Sequence, residues 1–298
     1  MIRFIRRTIL FLALSPLYAL AAPISLVDDA GKTVHLPAPA QRIVALAPHV
    51  VETLYVAGAG NQIVGTVEYS DYPQSARSIR RIGNYSSFDL EALLALKPDL
   101  VIGWETGNSP SAIEKIRDLG IPVYLSQPNR ITQIGDEIET FGKLAGTERV
   151  AKPAADAFRK RLDRLEKENR GRPQVSVFYQ ISDAPLMTIG GKQIISNALS
   201  ICGGRNIFEQ LAPMAPIVSA EAVIAANPEV IMTSGMEKIN PAALDTWKKW
   251  PQLTATQRRN FFLIDSDLIN RNGPRILDGT QQICNAIQTA RNRRPANP

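Results

Sequence analysis

The chain has 298 residues, of which 45% are hydrophobic and 21% are charged, and its formal net charge is +6. This composition is typical of a globular protein, and the length allows two domains of ordinary size. Most of the excess positive charge lies in the first 21 residues and in the C-terminal tail, so the near-neutral body of the chain excludes a nucleic-acid-binding surface.

Residues 1–21 have the features of a secretory signal peptide. Arg3, Arg6 and Arg7 precede an apolar run, and small residues follow it immediately before Ala22. The run is too short to anchor the mature chain across a bilayer, although a retained N-terminal anchor is the alternative interpretation. We therefore predict a soluble periplasmic protein that begins at Ala22 after cleavage.

Strands and helices alternate in the first half of the chain. Short apolar runs predict strands at 42–48, 62–67, 99–104 and 122–126. Helical patterns lie between and after these strands, and they end at Gly58, before Pro98, at Gly120 and at Gly146. This alternation is typical of a parallel sheet covered by helices, and we predict an N-terminal α/β lobe over residues 22–146.

Residues 147–170 have a different pattern. Apolar residues recur at steps of three and four without a glycine break, and charged residues fill the opposite face. Pro153 is compatible with such a helix if it lies in the first turn. We predict one long amphipathic helix that joins two lobes, with an ordinary peripheral helix as the alternative.

The second half repeats the alternation and predicts a C-terminal α/β lobe over residues 171–298. The predicted strands are 175–180, 229–234 and 261–265. The predicted helices are 193–204, 219–226 and 274–290. Cys202 and Cys284 lie in the first and the last of these helices. In an exported protein an even pair of cysteines predicts a disulfide, which would tie the two helices together; two buried thiols are the alternative.

The sequence offers little that predicts catalysis. Residues 58–65 resemble a dinucleotide-binding loop, but Ile63 replaces the third glycine, and the segment follows a helix and precedes a strand, the reverse of the required order. His35 lies in a predicted edge strand, and His49 begins a helix, where we favour a structural role. We predict no enzyme activity, no cofactor and no metal site.

Large side chains follow the predicted strands in both lobes. Open α/β sheets bind ligands at the carboxyl ends of their strands. The candidates are His49, Tyr69, Tyr85, Trp104, residues 179–181 and residues 267–271. Each aromatic alone is better explained as a core or rim residue, but two facing lobes with aromatic floors would suit a large, flat, partly apolar ligand.

One pattern occurs twice, at 89–103 and again at 219–233. Each copy has a polar cap, a glutamate two residues later (Glu91 and Glu221), an apolar run, a proline, an acid and an apolar strand. Two similar lobes explain the repeated helix and strand. The glutamates have a structural explanation, because the helix dipole favours an acid in the first turn by about 0.3–1 kcal/mol.

Several segments together resemble the cobalamin, haem and iron-siderophore class of periplasmic substrate-binding proteins. They are YSDYP (69–73), DLEALLALKPDLVIGW (89–104), CGGRNIF (202–208), VSAEAVIAANPEVI (218–231) and GPRI with QQICNAI (273–287). YSDYP with the paired cysteines is similar to the cobalamin branch of the class. The resemblance implies two Rossmann-like α/β lobes joined by a single long helix, the class III periplasmic binding protein fold, with the ligand in the cleft.

The resemblance also implies ligand contacts in each lobe. Tyr69, Tyr85 and Trp104 would contact the ligand from the first lobe, and Asp267 and Arg271 would contact it from the second. Tyr85 stands where the cobalamin binders have a tryptophan. The second lobe holds small or aliphatic residues at three positions where the family has aromatic ones: Ala215, Ile181 and Leu268. This leaves open which ligand the chain binds.

The function implied by the resemblance is capture of cobalamin or a related corrinoid, as a transported ligand and not a cofactor. A monomeric protein would deliver it to an inner-membrane ABC transporter permease. Glu91 and Glu221, one on each lobe, would pair with arginines of that permease. A haem or iron-siderophore binder on the same fold is the alternative, with His49 or Tyr85 as a haem ligand.

Overall fold

The computed structural model describes residues 22–234 and 244–295, and the predicted signal peptide lies outside them. The described chain opens with an antiparallel hairpin of β1 (Ile24–Val27) and β2 (Thr33–Leu36). His35 lies in β2 with its side chain exposed, which agrees with the predicted edge strand.

A parallel sheet of four strands forms the first lobe. Its strands are β3 (Ile43–Ala45), β4 (Ile63–Thr66), β5 (Leu100–Trp104) and β6 (Val123–Ser126), in the order β4-β3-β5-β6. The helices are α1 (Pro48–Val56), α2 (Leu90–Ala95), α3 (Pro110–Asp118) and α4 (Ile131–Ala145), with 3₁₀ turns at Gly60–Gln62 and Gln74–Ser78.

Local sequence explains where these helices begin and end. Pro48 and Pro110 occupy first-turn positions, where the fixed φ of proline suits the helix. Gly146 ends α4 with a left-handed φ of 70°, and Gly58 follows α1 with a φ of 84°. The segment 58–65 is therefore a helix end, a turn and a strand, as predicted, and not a phosphate loop.

The long helix α5 (Glu148–Asn169) follows the first lobe. Its apolar face is buried, whereas the opposite face is charged, as the periodicity predicts. Pro153 lies in the second turn, one turn later than the position at which a proline fits a helix best. The helix continues through it, because the carbonyl that loses its helical donor belongs to Arg149 near the helix start.

A second sheet forms the other lobe. Its strands are β7 (Val175–Asp183), β8 (Leu186–Thr188), β9 (Gly204–Asn206), β10 (Val230–Thr233) and β11 (Phe261–Leu263). The order is β11-β10-β7-β8, β9 pairs with the start of β7, and only β8 runs antiparallel. The helices are α6 (Ile194–Ile201), α7 (Ala220–Ala226), α8 (Asp245–Lys248), α9 (Thr254–Gln257), α10 (Ser266–Ile269) and α11 (Ile276–Asn292).

The repeated pattern gives the same structure in both lobes. Helices α2 and α7 each precede a central strand, β5 or β10. Lys97 and Asn227, which stand at the same position of the two copies, both have a left-handed φ, 47° and 42°. Non-glycine residues adopt this conformation rarely, so the two copies share an unusual turn as well as a pattern.

The two lobes share one hydrophobic core through α5. A continuous buried cluster contains Ile102 and Phe141 of the first lobe, Phe158 of α5, and Tyr179 and Ile287 of the second lobe. Salt bridges reinforce this packing on the surface: Arg159 of α5 pairs with Asp136 and Glu139 of α4, and Arg161 pairs with Asp278 of α11. The predicted class III fold with a connecting helix is confirmed, while the exact lobe boundaries stay predictions.

Cys202 and Cys284 form a disulfide, which confirms the predicted pairing. Cys202 caps the end of α6 and Cys284 lies within α11, so the bond joins the first and last long helices of the second lobe.

Among the helices in the described part of the chain, none combines the length and apolar character needed to cross a bilayer.

Candidate functional site

A cleft separates the carboxyl ends of the first-lobe strands from the second lobe. It contains a cavity of about 470 Å³, lined by Glu105, Thr106, Gln127, Asn129, Arg130, Gly191, Lys192, Asn197 and Met214. At its edge the backbone N–H of Ile131, which begins α4, donates to Oδ1 of Asn197 in α6 at 2.9 Å. The two lobes therefore meet through a helix cap at this point.

An aromatic group lies at the end of β5. The ring of Trp104 is 5.6 Å from that of Tyr85, in a tilted arrangement, and 5.5 Å from that of His49, edge to face. Tyr85 is 40% exposed and Trp104 is partly buried. The structure thus brings together two of the predicted ligand contacts and offers part of their aromatic surface to solvent.

A buried asparagine fixes this aromatic group. Oδ1 of Asn108 accepts from the backbone N–H of Trp104 at 2.6 Å, and its Nδ2 donates to the carbonyl oxygens of Leu46 and Tyr85. One side chain therefore links the ends of β3 and β5 to the loop that carries Tyr85. Gly107 packs against the indole of Trp104, where any Cβ would collide with the ring.

Tyr69 lies apart from this pair and is 63% exposed. Its backbone has a left-handed φ of 64°, which is uncommon for a tyrosine and costs conformational energy. The loop that holds it is secured by Arg81, whose Nη2 donates to the carbonyl of Ser70 at 2.7 Å.

An inter-lobe charge cluster crosses the cleft beside the aromatic group. It consists of Glu52 and Asp71 from the first lobe and Asp267, Arg271 and Arg275 from the second. Nη1 of Arg271 donates to Oε1 of Glu52 and to Oδ1 of Asp71, both at 2.9 Å, and its Nη2 donates to Oδ1 of Asp267 at 2.8 Å. Arg275 donates to both oxygens of Glu52, at 2.7 and 2.9 Å.

Burial strengthens the ion pairs of this cluster, which link the two lobes. The side chain of Glu52 is only 1% exposed and that of Arg271 is 11% exposed, and charge-assisted bonds in such surroundings are the strong ones. Burial alone would raise the pKa of Asp71, but its hydrogen bond to Arg271 and the charges of Arg271 and Arg275 lower that pKa overall. The guanidinium of Arg275 also stacks on the ring of Tyr72, at 4.0 Å from its centroid.

His49 lies beneath the second lobe. Gly273 packs against it, and Nε2 of His49 is buried without a hydrogen-bond partner in the described part of the chain. Burial, and then the charge of Arg271, lower its pKa to about 4, so the ring is neutral at physiological pH. Because Nε2 is buried, this ring is not accessible to a haem iron in the conformation described.

The second lobe supplies little aromatic surface to the cleft. Ala215 is exposed, while Ile181 and Leu268 are partly buried, and none of them is aromatic. The predicted contact Arg271 is present at the cleft, where carboxylates accept hydrogen bonds from three of its five N–H donors. Among the described residues no group of three or more His, Cys, Asp or Glu side chains is arranged to hold a metal ion.

Glu91 and Glu221 occupy matching places on the two lobes. Each lies in the first turn of its helix, behind a side-chain cap from Asp89 or Ser219, and each is exposed. Neither carboxylate forms a salt bridge within residues 22–234 and 244–295. Hydrogen bonds from its own backbone and from Ser219 lower the pKa of Glu221. Both acids thus lie exposed at matching positions on the surface of the two lobes.

Sequence reasoning missed part of this site. Asp71 and Tyr72 lie within the YSDYP segment and Arg275 lies within GPRI, but the sequence analysis predicted no contact for any of the three residues. The sequence does give one indication for Glu52, because it is the one charged residue inside the mostly apolar run VVETLYV (50–56). A charged side chain on a helix that is apolar all round is expected to have a buried partner.

Residues 43–268 match the family described as periplasmic binding protein. The chain is 37% identical over 255 residues to the vitamin B12-binding protein of Vibrio cholerae, covering 85% of this chain and 91% of that protein. It is 34% identical over 251 residues to the vitamin B12-binding protein of Yersinia pestis, covering 84% and 87% of the two chains.

Solved structures agree with this match. The periplasmic vitamin B12-binding protein BtuF of Vibrio cholerae superposes with a TM-score of 0.78 at 37% identity, covering 85% of this chain and 98% of that one. The periplasmic heme-binding protein RhuT of Roseiflexus superposes with a TM-score of 0.70 at 21% identity, covering 83% and 98%. The second likeness is one of fold alone.

Proposed function

The chain belongs to the periplasmic binding protein family, and on that premise we propose that it captures cobalamin or a related corrinoid between its lobes. It delivers this ligand to the permease of an ABC importer. The observation that carries the proposal is the likeness to vitamin B12-binding proteins over most of the length of both chains. The protein acts in the periplasm as a monomer, performs no catalysis, and carries the corrinoid as cargo and not as a cofactor.

The chemistry of the cleft supports this ligand class. A corrinoid is a broad ring edged with amide side chains, so it needs flat apolar contacts at its centre and polar groups around its rim. Trp104 and Tyr85 supply the flat contacts, and Tyr69 adds an exposed ring at low entropic cost. Polar side chains of the cavity, such as Gln127 and Asn197, and the inter-lobe charge cluster supply the groups for the rim.

Titration calorimetry of the mature protein with cyanocobalamin, cobinamide and haemin tests the proposal. We expect saturable binding of at least one corrinoid, with quenching of tryptophan fluorescence, and no specific haem binding. If only haemin binds, and its Soret shift is lost in Tyr85→Phe or His49→Ala, the corrinoid assignment is wrong and the haem alternative replaces it.

A further inference from the structure

A second cavity, which we call the arginine cavity, lies in the second lobe away from the cleft. It has a volume of about 300 Å³ and is lined by Arg172, Pro173, Gln288, Arg291 and Arg294. Pro173 lies just before β7, so the cavity is at the amino ends of the parallel strands β7, β10 and β11. The carboxyl end of β11 leads to Asp267 of the inter-lobe charge cluster, at the opposite edge of the sheet. The arginine cavity is therefore separate from the corrinoid cleft.

Two of the arginines that line this cavity share one neutral acceptor. Oε1 of Gln288 accepts from Nη1 of Arg172 and from Nη1 of Arg291. Neither arginine forms a salt bridge with an acid within residues 22–234 and 244–295. Two like charges are thus held side by side by an amide oxygen that carries no charge, and an anion beside them would be attracted to both.

One acid serves the neighbouring arginines. Glu229 accepts from Arg294 through both oxygens, at 2.7 and 2.8 Å, and from Arg258 at 3.0 Å. Together with Arg172 and Arg291, this group holds four guanidiniums and one carboxylate, which give a net charge of +3 when all are ionised. Burial, and then the charges of Arg172 and Arg294, lower the pKa of Arg291, so the cations of the group repel one another.

Arg172 has donors to offer an anion. Its side chain is exposed, and only one of its five N–H donors, on Nη1, has an acceptor in the described part of the chain. Arg291 is fixed by backbone carbonyls, because its Nε donates to Pro173 and its Nη2 donates to Cys202, both at 2.8 Å. Nη1 of Arg294 has no acceptor among the described residues. The cavity thus combines a fixed cation with unused donors on two others.

These features favour a phosphate group. Guanidiniums bind phosphate oxygens through paired N–H donors, and they are the preferred side chains for this chemistry. The volume of about 300 Å³ is several times the share of one water in the liquid, about 30 Å³, so a phosphate fits with some of its hydration water. We propose that the arginine cavity binds a phosphate group, as free phosphate or as the exposed phosphate of a larger molecule such as a phospholipid.

Titration calorimetry of the mature protein with inorganic phosphate at pH 7 tests the proposal, with ionic strength held constant by sodium chloride. We expect saturable binding at one site with a Kd of about 1 mM or below. Arg172→Gln removes the guanidinium that has the most unused donors, so it should raise that Kd at least about tenfold. Arg80→Gln is the matched control, because it removes one exposed arginine from the first lobe, and it should leave the Kd unchanged.

Co-sedimentation with phosphatidylcholine vesicles, with and without phosphatidylglycerol, distinguishes the two sources of phosphate. Binding to the anionic vesicles that Arg172→Gln loses and Arg80→Gln keeps would identify a lipid headgroup as the source. Saturable binding of inorganic phosphate without such vesicle binding would identify a soluble phosphate compound.

The proposal is overturned if the wild type binds neither inorganic phosphate nor the anionic vesicles. It is also overturned if Arg172→Gln and Arg80→Gln weaken binding equally. Arg172→Gln should bind corrinoid as the wild type does, so failure at the arginine cavity leaves the proposed function untouched. Thermal melts establish that each variant is folded.

Discussion

Trp104 is the largest aromatic side chain of the proposed cleft, and no aromatic residue stands opposite it at Ala215 or Leu268. We expect Trp104→Ala to weaken corrinoid binding by about 2–4 kcal/mol, because the remaining aromatic surface cannot replace its contact area. Titration calorimetry measures the loss.

Trp250→Ala is the control for this substitution. Trp250 is an exposed tryptophan that belongs to neither the aromatic group nor the charge cluster, so its removal should leave affinity unchanged. A loss of affinity for Trp104→Ala smaller than about fivefold, which is about 1 kcal/mol, would show that the ligand does not rest on this ring.

A second residue, Glu137 of α4, should make stability depend on pH. Burial raises the pKa of Glu137 from 4.5 to about 8, against the lowering effect of a hydrogen bond from Ser126. Between these values the unfolded chain ionises Glu137 while the folded chain keeps it neutral, so wild-type stability falls as pH rises. Glu137→Gln should remove this loss, on the order of 3 kcal/mol between pH 5 and pH 8.

Denaturant unfolding at pH 5 and pH 8 checks this prediction. Glu139→Gln is the control, because Glu139 lies on the same helix but is paired with Arg159 near the surface, and its hydrogen bond to Arg159 lowers its pKa. If wild type and Glu137→Gln lose the same free energy of unfolding between the two pH values, Glu137 is not protonated in the fold.

Glu52 illustrates what a single residue's sequence context can and cannot predict. Its position within an apolar helical run indicates a buried charge that needs a partner. The partner residues, Arg271 and Arg275, lie more than 200 positions away, and nothing in local periodicity connects them to α1. Trp104 was easier, because it ends a clearly patterned strand and the carboxyl ends of parallel strands share one edge.

The disulfide acts at the level of two helices. Cys202 and Cys284 close a loop with a sequence separation of 82 residues. In the chain-entropy model such a bond stabilises the fold by up to about 4 kcal/mol through the unfolded state. We expect the double variant Cys202→Ser, Cys284→Ser to lose stability of that order in denaturant unfolding.

Adding a reductant to the wild type should reproduce the loss, while the double variant should not respond to it. Two reactive thiols in the denatured, unreduced wild-type protein would contradict the pairing. Affinity for corrinoid should change little, because both cysteines are buried in the core and neither lines the cavity.

Elements with clear periodicity or an apolar run were predictable, including the three-residue strands β3 and β11, whereas several other short elements were not. Helix α5 and the strands β5 and β10 follow directly from their patterns. The three-residue strands β8 and β9 were missed, because so short a run has no periodicity and depends on pairing with β7. Helices α8, α9 and α10, each of four residues, were missed for the same reason.

At the scale of the whole molecule, Glu91 and Glu221 should act as a pair that docks to the permease. Both helices run back against a central strand, so their first turns lie at the same edge of each lobe as the strand ends that face the cleft. We expect reversal of both charges, Glu91→Lys with Glu221→Lys, to abolish transporter-dependent uptake in cells while ligand affinity is unchanged.

Glu148→Lys controls for the loss of a favourable helix-dipole interaction, because Glu148 is an exposed acid in the first turn of α5. It should leave uptake intact. Full uptake by the double reversal, or loss of ligand binding in it, would mean that these glutamates do not form the docking pair.

The hydrophobic core shared by both lobes and α5 governs how fast a ligand can be captured. Separating the lobes widely would expose apolar side chains such as Phe158 and Ile287 to water, so the cleft stays near its final width before the ligand arrives. Capture then requires no slow opening step. The observed association rate should rise linearly with corrinoid concentration in stopped-flow fluorescence, without a plateau, and differences in affinity between corrinoids should arise in their dissociation rates.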